Sequence, residues 1–345
     1  MNTATPAFAS QSQSQPATGT RGDAPSSAQA AAGAHAEYEV EHDTEYEYSS
    51  QVDFAQHLAH LTPVTAPGQA VHDFVLHVDP EPVRVDNTVD YFGNHRTYFA
   101  LTVAHEVLRV RASSRVRLLP RFEELDPQVS APWEAVRSAL QYEAGAAFAP
   151  AAEFCFGSAF VPRDARLRAY ALASFEPGRP LVAAAIDLMH RIHRDFRYAA
   201  GSTDVATPVL EAFEARAGVC QDFTHVMIGC LRSLGLAARY VSGYLYTRAR
   251  FAQTGAESPP EEAGGVVGAD ASHAWVAVYC PHLGWVELDP TNDAIPGTGH
   301  VRLASGRDYG DVAPLRGVVR GGGEHVLRVA VRLRAVAGPP GVATE

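Results

Sequence analysis

The stretch ARAGVCQDFTHVMIGCLRSLGLAARYVSGY, residues 215–244, constrains this chain more than any other. Phe223, Met227, Cys230 or Leu231, and Leu234 recur at helical spacing, and Gly235 supplies a C-terminal stop. The following RYVSGYLY reads at once as a strand. Gly218 breaks the preceding helical pattern, so Cys220 falls at or beside the first turn of a new helix. Taken alone, a small buried thiol is the plainer reading of Cys220. The alternative is a nucleophile. Unpaired N–H groups at a helix start favour a thiolate and can also hold an oxyanion.

Around that helix the chain divides into two kinds of pattern. In YEVEHDTEYEY, Tyr38, Val40, His42, Thr44, Tyr46 and Tyr48 occupy one face, with mostly acids on the other. Similar alternation recurs in VHDFVLHV (71–78), TYFALTV (97–103) and VLRVRA (107–112), which predicts an antiparallel β domain over 36–120. Val182, Ile186, Met189, Ile192 and Phe196 then step by four, three, three and four, one face of a helix. TPVLEAF begins another, with Thr207 as N-cap and Pro208 at the first helical position. HAWVAVY (273–279) and WVELD (285–289) return to strands. The expected fold class is α+β: a β domain, then a core over 121–335 of helices packed on an antiparallel sheet.

Residues 1–35 hold almost no large apolar side chains and are expected to be a disordered tail, in which the RGD at 21–23 is chance. A second short tail is expected at 336–345. The unpatterned stretch 247–272 reads as a long loop placed to act as a lid.

Several function classes are excluded by bulk properties. The net charge of −11 argues against a polyanion surface, so nucleic acid is not an expected partner. No apolar run is long enough to span a membrane, and no basic head precedes an apolar core, so the expectation is a cytoplasmic protein. Four cysteines without a Cys-x-x-Cys pair are too few for a disulfide framework. Every basic side chain that is not histidine is arginine. Without lysine, the chain could not cross-link itself through lysine side chains.

A thiolate needs a proton acceptor, and that acceptor needs an orienting group. His273 opens one late strand and Asp289 closes the next. An odd-numbered connection around PHLG puts both on one sheet face; an even-numbered one separates them. Asp289 precedes Pro290, where an Asp also commonly just starts a turn. Trp275 shares the strand face of His273 and either shields the imidazole or packs in the core; it is also a candidate for substrate contact.

RAGVCQDFTHVMIGCLRSLGLAARYVSGYL, followed by DASHAWVAVY and GWVELDPTND, resembles the bacterial transglutaminase-like family, a group that resembles papain in its Cys-His-Asp chemistry. The β-rich YEVEHDTEYEYSS…DYFGNHRTYFALTVAHEVLRVRASSRV is similar to the N-terminal domain accompanying that core, and GRDYGDVAPLRGV to its C-terminal segment. The resemblance spans about residues 36 to 335. It implies Cys220 as nucleophile, His273 as general base and acid, and Asp289 as the group orienting the imidazole. It further implies acyl transfer through a thioester on a peptide or protein substrate, as protease, amidase or transglutaminase, with no metal and no organic cofactor. The competing reading is a catalytically idle binding or scaffold module that kept the fold.

Other residues take plainer roles. Cys155, Cys230 and Cys280 are expected in packing, and His225 as structural. Asp222 suits the positive end of the helix dipole. The pairs His190/His193 and His57/His60 lack a third metal ligand at a recognisable spacing and are read as solvated or packing groups. The run GRDYG, with Asp308 and Tyr309, reads as an exposed loop, with substrate contact its only suggested role.

Overall fold

The structure is a computed structural model that describes residues 35–145, 149–246, 266–267 and 272–337. The expected N-terminal tail, most of the loop at 247–272 and nearly all of the C-terminal tail lie outside those residues.

The chain begins with a 24-residue strand, β1 (Ala36–Ala59), followed by β2 (Gln69–Asp79), β3 (Arg84–Val89), β4 (His95–Leu101) and β5 (His105–Leu118). β5 and β4 pair antiparallel with successive parts of β1, and β2 and β3 pair with them in turn. The alternation in β1 has an explanation on both faces. Tyr38, Val40, His42 and Thr44 are buried. The acids between them face arginines on the neighbouring strands: Glu45 meets Arg109 at 2.7 Å, and Glu37 meets Arg115 at 2.6 Å. The more exposed of these pairs, Glu45 with Arg109, adds little stability. Their shared parity nevertheless opposes a one-residue slip, which would turn the whole core face to solvent.

Helices follow: α1 (Trp133–Ala139), α2 (Ala165–Leu172), α3 (Leu181–Asp195) and α4 (Val209–Ala215), with the short strand β6 (Arg197–Tyr198) between the last two. The cap of α4 differs from the sequence expectation. Pro208 itself is the N-cap, and the Thr207 hydroxyl instead accepts the Asp204 N–H at 2.9 Å, closing a turn ahead of the helix. Nor does Gly218 end that helix; Arg216 does, in the left-handed region at φ 52°. Its guanidinium lies over the rings of Phe213, Tyr170 and Phe196, 4.1–4.8 Å from their centroids. Strand β7 (Ala217–Gly218) then pairs parallel with β6 and delivers the chain to α5 (Cys220–Ser233).

Behind α5 stands a four-stranded antiparallel sheet formed by β8 (Ala238–Leu245), β10 (Ser272–Cys280), β11 (Gly284–Leu288) and β12 (His300–Gly306), in the order β11-β10-β8-β12. The two-residue β9 (Val266–Val267) lies between β8 and β10 in the chain. Phe223, Val226, Met227, Cys230 and Leu231 of α5 join Ala274, Val276, Val278, Val286 and Leu288 in the main apolar core. Tyr38, Val40, Val116 and Leu118 of the first sheet belong to that same core, so the N-terminal sheet covers one side of it.

After a single helical turn, α6 (Tyr309–Val312), the chain returns to its start. β13 (Leu315–Gly321) and β14 (His325–Ala337) both pair antiparallel with β1. Among the described residues no helix is long and apolar enough to cross a membrane. The fold is α+β.

Candidate active site

Cys220 is the first residue of α5, behind the extended N-cap Val219. Its position is fixed from three sides. The Ala199 N–H donates to the Gly218 carbonyl at 2.9 Å, tying β7 to β6. The Asp222 carboxylate accepts the Val219 N–H at 2.8 Å and the Thr203 hydroxyl at 2.7 Å. This is half of a capping box, a more specific role than dipole compensation. Gly218 is required by the same contact: a Cβ there would stand 2.5 Å from Asp222 Oδ2. In the first turn, the Asp222 and Phe223 N–H groups already bond the Val219 carbonyl. The N–H groups of Cys220 and Gln221 are therefore those with no acceptor inside the helix.

The strand connection has the parity that brings the other two residues together. Cys280 pairs with Gly284, so residues 281–283 form the turn, an odd number. Val276 pairs with Leu288, which places Asp289 just beyond the ladder, diagonal to His273. His273 Nε2 donates to Asp289 Oδ2 at 2.7 Å. That leaves Nδ1 for the sulfur, and the Cys220 side chain lies within hydrogen-bonding reach of the ring. Cys220, His273 and Asp289 thus stand in one chain of contacts. His273 is buried, Asp289 has no exposed surface, and Cys220 is half-buried.

Asp289 divides its two oxygens between two roles. Oδ1 accepts the backbone N–H groups of Thr291 at 3.0 Å and Asn292 at 3.1 Å, the turn expected of an Asp before Pro. Oδ2 faces the imidazole and also accepts Asn292 Nδ2 at 2.7 Å and His300 Nε2 at 3.2 Å. Burial opposes charge on both partners of the pair. On His273 the adjacent carboxylate and thiol overcome burial and raise its pKa to about 10. On Asp289 the two imidazoles outweigh burial and hold the carboxyl well below its ordinary range.

His273, Asp289 and His300 also form a set that could ligate a metal, with donor atoms within 4.8 Å of one another. Zinc ligands at ~2.1 Å in tetrahedral geometry stand ~3.4 Å apart. The 2.7 Å between His273 and Asp289 is shorter, and is the spacing of a charge-assisted hydrogen bond.

Trp275 cannot touch a substrate as it stands, because it has no exposed surface. Its indole N–H donates to Glu287 at 2.8 Å, and its ring lies 6.0 Å from that of His273, forming a wall behind the imidazole. The expectation of an exposed GRDYG loop is also corrected. Asp308 is buried: Oδ2 accepts the Phe160 N–H at 3.0 Å, and Oδ1 caps α6 through the Gly310 N–H. The Tyr309 N–H donates to His225 on α5 at 3.2 Å, so the segment braces the helix that carries Cys220. His190 and His193 reach the turn after Asp289, where they bond the Asp293 carboxylate and the Thr291 carbonyl. Cys155, Cys230 and Cys280 are buried.

Two polar groups of the site, Asn292 and His300, were not anticipated. Asn292 had a local signal, three residues beyond Asp289 in a turn. His300 had none, since β12 meets Asp289 only through the sheet.

Comparison with known proteins matches residues 38–117 to the bacterial transglutaminase-like N-terminal region and residues 170–290 to the transglutaminase-like superfamily. An uncharacterized Mycobacterium tuberculosis protein is 39% identical over 291 residues, which cover 82% of this chain and 88% of that protein. A Pseudomonas aeruginosa protein-glutamine gamma-glutamyltransferase is 33% identical over 84 residues, 24% of this chain and 11% of that one. The crystal structure of a candidate cysteine protease from Cytophaga hutchinsonii shares the fold, with a TM-score of 0.66 at 19% identity, covering 88% of this chain and 92% of that one.

Proposed function

Because the chain belongs to the transglutaminase-like superfamily, we propose that it is a cysteine-dependent acyl-transfer enzyme acting on peptide or protein amides. Cys220 is the nucleophile, His273 the general base and acid, and Asp289 the residue that orients the imidazole. The observation that carries this reading is the chain of contacts from the Cys220 thiol through His273 to the fully buried Asp289 carboxylate.

The reaction follows from those contacts. With its pKa raised to about 10, His273 already holds the thiol proton as an imidazolium, and the thiolate beside it attacks the amide carbonyl carbon, moving the carbonyl π electrons onto oxygen. The first-turn N–H groups of Cys220 and Gln221 supply donors for that oxygen. The tetrahedral species collapses to a thioester as His273 returns the proton to the departing amine. Water or a second amine, deprotonated by His273, then attacks the thioester carbonyl, and the Cys220 sulfur leaves. Cys220 is only partly buried and water is always available, which favours hydrolysis as the default outcome. Loss of any one of the three groups would favour the scaffold reading, and all three are present.

The test uses a panel of glutamine-containing and other amide peptides, offered with and without a primary amine. Wild-type protein should accumulate a covalent acyl adduct on Cys220 by mass spectrometry and release acid, or amide product when the amine is added. Cys220→Ala should show neither. Equal product release from the two proteins would refute the assignment.

A further inference from the structure

His300 does not belong to the three-residue set, yet it shares the oxygen on which that set depends. We infer that His300 is a positioning residue whose Nε2–H holds Asp289 Oδ2 beside the His273 N–H and tempers the hold of that carboxylate on the imidazole. The inference rests on the acyl-transfer reading for its importance, but not for its test.

The geometry is specific. Asp289 Oδ2 accepts three side-chain donors: His273 Nε2 at 2.7 Å, Asn292 Nδ2 at 2.7 Å and His300 Nε2 at 3.2 Å. They come from β10, the turn after β11, and the first residue of β12. Since the carboxylate only accepts, His300 must carry its proton on Nε2. Its ring is fixed edge-on against Trp275, with centroids 5.3 Å apart. The charged and titratable groups that act on it are Asp289, His273 and Arg121. Burial lowers its proton affinity, so His300 stays neutral beside His273, where a second cation would be costly.

The consequence is electrostatic. Each donor spreads the charge of Oδ2 and weakens its pull on the other donors. Removing the His300 donor leaves the carboxylate a stronger partner for the His273 N–H, and the imidazolium then keeps its proton to higher pH. A merely structural histidine would lower stability without moving that titration in this direction.

The experiment is a nitrogen NMR titration of the full chain carrying ring-labelled histidine, with the His273 resonance assigned by its loss in H273Q. It reads proton loss from His273 whether or not Cys220 proves to be a nucleophile, so its failure is distinct from failure of the acyl-transfer reading. In H300F, which keeps an aromatic ring against Trp275, the His273 midpoint should rise by about half a pH unit or more. In H300Q, which keeps a donor, it should stay within about 0.2 units of wild type. If circular dichroism shows H300F unfolded, H300M, equally without a donor, replaces it. A midpoint that is unchanged or lower in the donor-free variant, or shifted equally in H300Q, would overturn the inference.

Discussion

Asp289→Asn is expected to slow alkylation of Cys220 at pH 6 by about 10³-fold while leaving the fold intact. The reason lies in how the two oxygens are committed. Oδ1 accepts two backbone N–H groups, so an asparagine must keep its carbonyl oxygen there. Its amide nitrogen then takes the Oδ2 position, where it faces donors from His273, Asn292 and His300. Relief for His273 requires an Nε2 that accepts, so its one proton moves to Nδ1, the nitrogen left for Cys220. An N–H aimed at the sulfur cannot take the thiol proton. An alkylation rate within threefold of wild type, at unchanged circular dichroism, would show that Asp289 does not set the imidazole tautomer.

The second large effect is loss of stability in mild acid. His42, His57 and His225 are buried, and desolvation lowers each to about 4. His57 is the most exposed to this penalty, stacked on Phe99 with neither ring nitrogen hydrogen-bonded. These rings are neutral in the folded chain and become protonated in the unfolded chain below about 6.5. The unfolded state therefore binds more protons, and stability falls as pH drops from 6.5 towards 4. Each ring contributes ~1.4 kcal/mol per pH unit, on the order of 4 kcal/mol per unit for the three. The His273–Asp289 pair acts in other ranges: the Asp289 contribution is lost progressively as pH falls below the ordinary carboxylate range towards its depressed pKa, and that of His273 as pH rises from about 6.5 to about 10. Urea unfolding at pH 7, 6 and 5 should show the fall, and His57→Phe should reduce its slope by about 1.4 kcal/mol per pH unit. A flat stability over that range would contradict the burial of these rings as neutral groups.

The parts of this architecture that the sequence displayed are those encoded over short distances. Helical spacing after Cys220, alternation around His273 and the Asp-Pro step at Asp289 are each local, and strand parity needed only the three-residue turn between β10 and β11. Contacts made through tertiary structure left no such trace. The alternating tail was readable as a strand, but not that β13 and β14 pair with β1, more than 250 residues earlier. The polarity of GRDYG suggested exposure because buried backbone donors do not show in a composition; Asp308 is inside because the Phe160 and Gly310 N–H groups need an acceptor there. His190 and His193 showed correct helical spacing, yet their partners lie about a hundred residues away. His300 was hidden for the same reason.

The central claim is that sulfur, imidazole and carboxylate act as one unit. Its most direct measurement is the order in which the four cysteines react with iodoacetamide at pH 5.5, read by peptide mass spectrometry. Cys220 should be modified well before Cys155, Cys230 and Cys280, and this priority should vanish in His273→Ala. Uniformly slow labelling of all four, or a Cys220 rate indifferent to His273, would contradict the account.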